Sequence, residues 1–376
     1  MNYVAWTAVA ASCLAAPLAQ AAGEVLSGDQ GYHTVEVRDA DLYVADETFR
    51  VLVEQTNRDA NIGVIVRASP AGATWHGGSI VGMGVNRTES WAAIYTRLGG
   101  PGNGACLITK NSERMTVEHL RCDWTWDGFR PEGDGNEDWL LRLAWISNNR
   151  DDAIENDRCH SGRMEHSLLE DTFVGYSSRP GQESVPCEHR LEMVGMLISL
   201  GRHYDDREKA IRPWSNIENG RVMQSGALFK VRDRGAGTEV LLKDTIIKLD
   251  HTPGVSTKEL PIVPEGWELL PGSGNNTLVW LGENDLPGLT YEEIDGCKVP
   301  AEFKVPQDFF RVVCGTEGKE IWNAAKVALL AKIDPPAPPP SEPDPVDQFI
   351  IDLLRLLEAE RALIEEFEKQ RSEPEG

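Results

Sequence analysis

Long apolar runs are missing from this chain. Beyond the first 22 residues, no stretch reaches the roughly 18 apolar side chains that a spanning helix needs, so no membrane span is expected. Basic residues are scarce as well. The 37 Lys and Arg stand against 60 Asp and Glu, a net charge of −23, which argues against nucleic acid or an anionic membrane as partner. An anionic polysaccharide is not excluded, because a local stripe of Arg dominates within a Debye length of about 8–10 Å. Helical 3.6-residue periods are nearly absent between the apolar segments, which removes an alternating βα architecture. No CxxC occurs and no two cysteines lie within one turn, so a zinc site has little support.

Residues 1–22 carry no charged side chain and close on Ala19-Gln20-Ala21, a small-x-small pattern. They read as a secretory signal, although no Lys or Arg precedes the apolar run, and the mature chain is expected to be secreted or periplasmic. Cys13 leaves with that segment. Six cysteines remain: Cys106, Cys122, Cys159, Cys187, Cys297 and Cys314. An even count in an exported protein predicts disulfides. Pairing between sequence neighbours is the simplest choice, above all Cys297 with Cys314.

Between residues 115 and 180 one loose phrase occurs three times: MTVEHLRCDWTWDGFRP, LLRLAWISNNRDDAIEND and RMEHSLLEDTFVGYSSRP. Aligning them places Leu120, Ile146 and Leu168 at one point and Phe129, Ile154 and Tyr176 at another, at intervals of 22 to 26 residues. A period in the low twenties, with short apolar strands and polar turns, indicates stacked coils that bury a shared core. Short β segments bounded by Gly, Asn, Asp or Pro continue on both sides of the repeat. The predicted fold is all-β, a right-handed parallel β-helix (solenoid) over residues 23–288.

Residues 289–333 change character and contain a short amphipathic helix at 321–330, read as a C-terminal helical cap over the open end of the solenoid. A Pro-rich linker follows at 334–345. Over 346–371, Val346, Ile350, Leu353, Leu357, Glu360, Ile364 and Phe367 step by 4 and 3, the seam of an acidic coiled-coil or docking helix that could join a homo-oligomer or a partner helix.

The densest polar constellation is Asn148 to Asp157. Stacking the copies puts Asp127 near Asp152, and Arg130 near Glu155 and Ser177–Arg179, about 4.8 Å apart along the ladder. By strict alternation, Phe129, Ile154 and Tyr176 fill the core, while Gly128/Arg130, Ala153/Glu155 and Gly175/Ser177 line an external face. Trp124, Trp126, Trp139 and Trp145 offer flat surfaces on which sugar rings stack. Three readings of that face stand. In one, paired carboxylates among Asp151, Asp152 and Glu155 act as acid and base on a glycosidic bond. In another, Arg130, Arg179 or Arg212 neutralises a uronate while a base abstracts its α-proton, with Ca²⁺ held by Asp151, Asp152, Glu155 and Asp157. In the third, the same groups form a salt-bridged turn stack that only holds the solenoid together. His119 and His166 occupy equivalent points two coils apart, which repeat structure explains without a metal.

The phrases Arg150 to Asp157, Val240 to Ile246 and Asn276 to Gly282 resemble those of bacterial secreted right-handed parallel β-helix proteins of the pectate-lyase-like superfamily, over roughly residues 45–285. The resemblance implies activity on polysaccharide as a lyase, hydrolase, epimerase or esterase, or else a non-catalytic adhesive or structural solenoid. Of the polygalacturonase motif set, only the pair Asp151-Asp152 carries over, since neither Gly-His-Gly nor Arg-Ile-Lys is found. The lyase phrase Arg-x-Pro-x-x-Arg is absent too. Phe129-Arg130-Pro131, Ser178-Arg179-Pro180 and Ile211-Arg212-Pro213 share only Arg-Pro with it.

Overall fold

A computed structural model describes residues 23–54, 61–83, 87–97, 104–179, 187–205, 212–231, 237–254 and 259–334. The leader, the Pro-rich linker and the heptad seam lie outside them. The described chain is mostly strand, and its two principal sheets are parallel throughout. The larger has 17 strands and the smaller seven. The chain alternates between them. A strand of the smaller sheet, such as Asp127–Pro131, is followed by a bent pair in the larger, Trp139–Arg142 and Trp145–Ser147, before the chain returns at Asp152–Glu155. Each pair bonds to the equivalent pair one circuit earlier and one circuit later. Near the C-terminal end of the larger sheet, Asn276–Trp280 and Phe310–Cys314 continue the ladder.

The bend inside each pair requires a left-handed residue. His119, Leu143, His166, Gly195 and Asp244 occupy that corner with φ between 44° and 64°. Each of the first four donates its amide to the carbonyl just before the next corner: His119 to Arg142, Leu143 to Glu165, His166 to Val194 and Gly195 to Lys243. The two histidines are therefore stacked corner residues, as the repeat implied. His119 Nδ1 also lies 2.9 Å from the Ile333 carbonyl.

Phe129, Ile154 and Tyr176 are register partners and fully buried, as aligned. The second aligned set needs correction. Ile146 pairs with Cys122 and Leu169, not with Leu120 and Leu168. Leu120 and Leu168 are buried too, but Leu120 belongs to the corner just past the bend, where an apolar side chain reads like a strand residue in sequence.

The three disulfides join sequence neighbours: Cys106 with Cys122, Cys159 with Cys187, and Cys297 with Cys314. The first spans the core, from the smaller sheet at Ala105–Lys110 to the larger at Arg121–Asp123.

Residues 289–333 divide into two parts. The hairpin Tyr291–Ile294/Cys297–Pro300 and the turn Ala301–Phe303 add Ile294, Cys297, Val299 and Phe303 to the core, with Phe303 edge-on to Trp280 at 5.2 Å. The helix spans Gly315–Ile333, longer than expected, and it lies along the flank of the larger sheet rather than over an end. Trp322, Leu329 and Ile333 pack on Leu168 and Leu197. Lys248 sits over the Trp322 ring at 5.1 Å, and Lys326 pairs with Glu170. The helix is about 28 Å long at 1.5 Å per residue. Strands about 4.8 Å apart let it cross about six of them.

Candidate functional site

Strict alternation fails on the smaller sheet, and that failure builds the site. A Cβ on Gly128 would meet Ile146 Cγ2 at 2.6 Å, and one on Gly175 would lie 3.6 Å from Ile198 Cγ2. These positions face the larger sheet, as Cys106 does through its disulfide, although the next residue in each strand is buried as well. Gly128, Ala153 and Gly175 therefore do not join Arg130, Glu155 and Ser177 on an external face. With two adjacent residues turned to the core, their flanking neighbours meet on the other side. Arg130 Nη2 lies 2.5 Å from Asp127 Oδ2, and the same nitrogen bonds Glu155 on the next strand.

The register then stacks four side chains in a line: Arg130, Glu155, Ser177 and Lys230. Lys230 Nζ is 2.5 Å from Asp152 Oδ2 and 3.3 Å from Asp151 Oδ1. Asp157 accepts from Ser177 Oγ at 2.9 Å and from the Arg179 amide at 2.7 Å. Five carboxyl groups are thus gathered around two cations. The expected open face is instead largely enclosed. Side-chain exposure is 1% at Asp127, 2% at Asp152 and 9% at Arg130, rising to 12% at Glu155, 16% at Asp151 and 22% at Lys230.

Burial sets the proton balance. It drives Asp127 and Asp152 well above the ordinary carboxyl range, reinforced at Asp127 by Glu155 and at Asp152 by Asp151. Burial pushes Glu155 upward too, but its hydrogen bond with Asp127 and the Arg130 charge outweigh it and hold Glu155 below its usual value. Asp157 is raised by burial and by Glu155. At Lys230 the two aspartates overcome burial and raise the ammonium pKa. Asp127 and Asp152 thus hold a proton more tightly than a free carboxyl does, while Glu155 gives its own up more readily, between Arg130 and Lys230.

Other expected residues are placed elsewhere. Arg179 contributes its backbone amide, and its side chain is exposed. Arg212 bonds Ser215 through its amide, beside the small antiparallel sheet that includes Asn216–Glu218 and Arg221–Gln224. Trp126 is buried against Ile94 and Trp139 lies in the main core, so neither offers a sugar platform. Trp145 packs with the flanking helix cluster. Trp124 is half-buried under the Arg87 guanidinium, 5.7 Å from the ring centroid. Lys230 carries no signal of its own in the sequence, being an ordinary lysine in a short β segment.

The carboxylate oxygens of Asp127, Asp152 and Glu155 lie within 4.8 Å of one another. Ca²⁺ takes about 6–8 oxygen ligands. Here three carboxyl groups already carry two protein cations, so the set does not fit that ion well. The other metal-like cluster, Cys159, Cys187 and His189, has its two thiols joined in a disulfide. Among the described residues, no helix is long and apolar enough to cross a membrane. Comparison with protein-family models, curated proteins and solved structures found no match.

Proposed function

We propose that the chain is an exported right-handed parallel β-helix that binds a polysaccharide along the smaller sheet and cleaves it at the ladder of Asp127, Arg130, Asp152, Glu155 and Lys230. One observation carries this reading: five carboxyl groups crowd around two cations, and Asp151, Glu155, Asp157 and Lys230 among them are partly exposed. Crowded carboxyls with opposed proton affinities are the raw material of acid–base chemistry on a glycosidic bond. One oxygen from each of Asp127, Asp152 and Glu155 lies within 4.8 Å of the others, inside the roughly 5–5.5 Å that separates the carboxyls of retaining glycosidases. In this scheme Glu155 is the ionised group that meets the sugar, Asp127 holds the neighbouring proton, and Lys230 neutralises an acidic substituent. Three disulfides support an oxidising compartment, in keeping with the leader-like N-terminus. The corner stack and in-register parallel ladders support the solenoid, and the pectate-lyase-like resemblance supports its hand.

The near-complete burial of Asp127, Asp152 and Arg130 favours a second reading, in which the ladder is a charged clamp in a non-catalytic adhesive or structural solenoid. A polysaccharide screen separates the two, following unsaturated-uronate absorbance and reducing ends together. Cleavage that is lost in Glu155→Gln while the fold is retained supports the enzyme. Binding without cleavage, unchanged in Glu155→Gln, supports the clamp.

A further inference from the structure

A second constellation joins the end of the small antiparallel sheet to the segment that leaves a strand of the larger sheet. Ser225 follows the strand Arg221–Gln224, and Asp250 and His251 follow Ile246–Leu249. Ser225 Oγ is 2.8 Å from His251 Nε2, and His251 Nδ1 is 2.6 Å from Asp250 Oδ1. Hydroxyl, imidazole and carboxylate therefore form one hydrogen-bonded line. We propose that Ser225, His251 and Asp250 are a nucleophilic relay that hydrolyses a carboxylic ester bearing a small acyl group.

The direction of the line is fixed by chemistry. Asp250 is held down to about 2: burial opposes ionisation, but the bond to His251 outweighs it. A carboxylate accepts only, so Nδ1 carries the proton and Nε2 is left as an acceptor. Ser225 must then donate to Nε2, the polarity that a serine nucleophile needs. Burial lowers the imidazole pKa despite Asp250, which keeps His251 neutral and able to take a proton near pH 7. Purely structural packing of a buried histidine is satisfied by either polarity, whereas this arrangement permits one.

The surroundings limit the substrate. Ser225 and His251 are buried, while the Asp250 side chain is 42% exposed. Next to Ser225, a Cβ on Gly226 would meet Val174 Cγ2 at 2.5 Å and the Phe173 ring at 3.0 Å, so the backbone there is closely packed. Packing that close excludes a long acyl chain on that side of Ser225. Thr252, the residue after His251, is buried with a hydroxyl that has no hydrogen-bond partner. In acylation, Ser225 Oγ bonds to the acyl carbon as its proton passes to Nε2. The ester C–O bond then breaks, and the departing alcohol takes that proton. Water repeats the sequence through His251, releasing the acid and restoring Ser225.

The inference is independent of the carboxylate ladder and is tested on the full exported chain. Methanesulfonyl fluoride and 4-nitrophenyl acetate serve as small probes, with peptide mapping of the adduct. The expected result is a single adduct on Ser225, absent in Ser225→Ala. Its formation rate should rise with pH through a value below the ordinary histidine value of about 6.5. Asp250→Asn, at a half-exposed site and with its fold checked by circular dichroism, should slow labelling and hydrolysis by about 10³–10⁴-fold. An unlabelled native protein, under conditions that label a standard serine esterase, overturns the proposal. So does labelling at full rate in Asp250→Asn, or an adduct on another residue.

Discussion

Lys230 Nζ lies 2.5 Å from Asp152 Oδ2, joining residues 78 positions apart across the intervening strand Val174–Ser178. The ammonium also meets Asp151, so one cation offsets two carboxyls in a nearly closed site. Removing one partner of a buried pair leaves a charge without compensation. Lys230→Met should therefore destabilise the protein by about 3–5 kcal/mol in urea unfolding. Adding Asp152→Asn should restore part of that loss. A Lys230→Met midpoint equal to wild type would show that solvent already screens the pair.

Asp127 makes stability depend on pH in a definite direction. Its folded pKa lies above the ordinary 3.8, so folding takes up a proton between those two values. The contribution is complete at low pH and is lost as pH rises through the raised folded value. Asp127→Asn has no such proton. Its stability relative to wild type should improve as pH is raised above about 4, until the raised folded value is passed. Parallel pH profiles for the two proteins, measured by urea unfolding, would mean that Asp127 is not the group holding the proton.

How much of this was legible depends on what each residue repeats. Phe129, Ile154 and Tyr176 were readable because a large buried side chain recurs at nearly the same interval in register. The contacts of Arg130 with Glu155 and of Asp127 with Asp152 follow from that register, since the Asp152 amide donates to Asp127 Oδ1. Leu120 misled because the corner past the bend is as apolar as a strand, and Leu168 because it pairs with Trp145, one residue away from Ile146. Gly128 and Gly175 misled because alternation was taken as strict, whereas two adjacent residues turn inward. Lys230 was hidden by the excursion that separates it from Ser177, its register partner 53 residues earlier. The relay of Ser225 and His251 joins two such excursions, and neither residue belongs to the repeat.

Gly128 is confined by both of its neighbours. A methyl group there would sit 2.3 Å from the Ala153 carbonyl oxygen and 2.6 Å from Ile146 Cγ2. The first contact is backbone in the next strand, so relief requires the ladder itself to move. Gly128→Ala should cost about 1–3 kcal/mol or more, the range for overpacking. It should also perturb the Arg130–Glu155 pair that the same two strands carry. A fully stable Gly128→Ala protein would contradict the inward orientation argued here.

The Cys106–Cys122 bond ties the two sheets through the core with a sequence separation of 16. Closing a loop of about 15 residues restricts the unfolded chain by about 3 kcal/mol. Replacing both cysteines with alanine should lower stability by about that amount, with an added loss from the vacated core volume. Thiol titration of the denatured, unreduced protein should find none of the six cysteines at 106, 122, 159, 187, 297 and 314 free. Six free thiols would refute all three bonds.

The flanking helix gives the last prediction. Trp322 is 4% exposed in a cluster with Leu168 and Leu197, and Lys248 covers its ring. Its neighbours on the same helical face, Leu329 and Ile333, lie seven and eleven residues further on, and the partly buried Ala325 fills the turn between Trp322 and Leu329. Lys326 and the Ile333 carbonyl then fix the helix to Glu170 and His119, which belong to different circuits of the chain. The helix therefore staples together strands of different circuits, in addition to their own ladders. Trp322→Ala should cost about 3–5 kcal/mol, as for a buried aromatic. The loss should appear first as faster amide exchange in Leu168–Thr172 and Leu197–Leu200, beneath the helix, before the smaller sheet is affected. Uniform acceleration across both sheets would instead show that the stack unfolds as one unit and that the helix adds only its own contact.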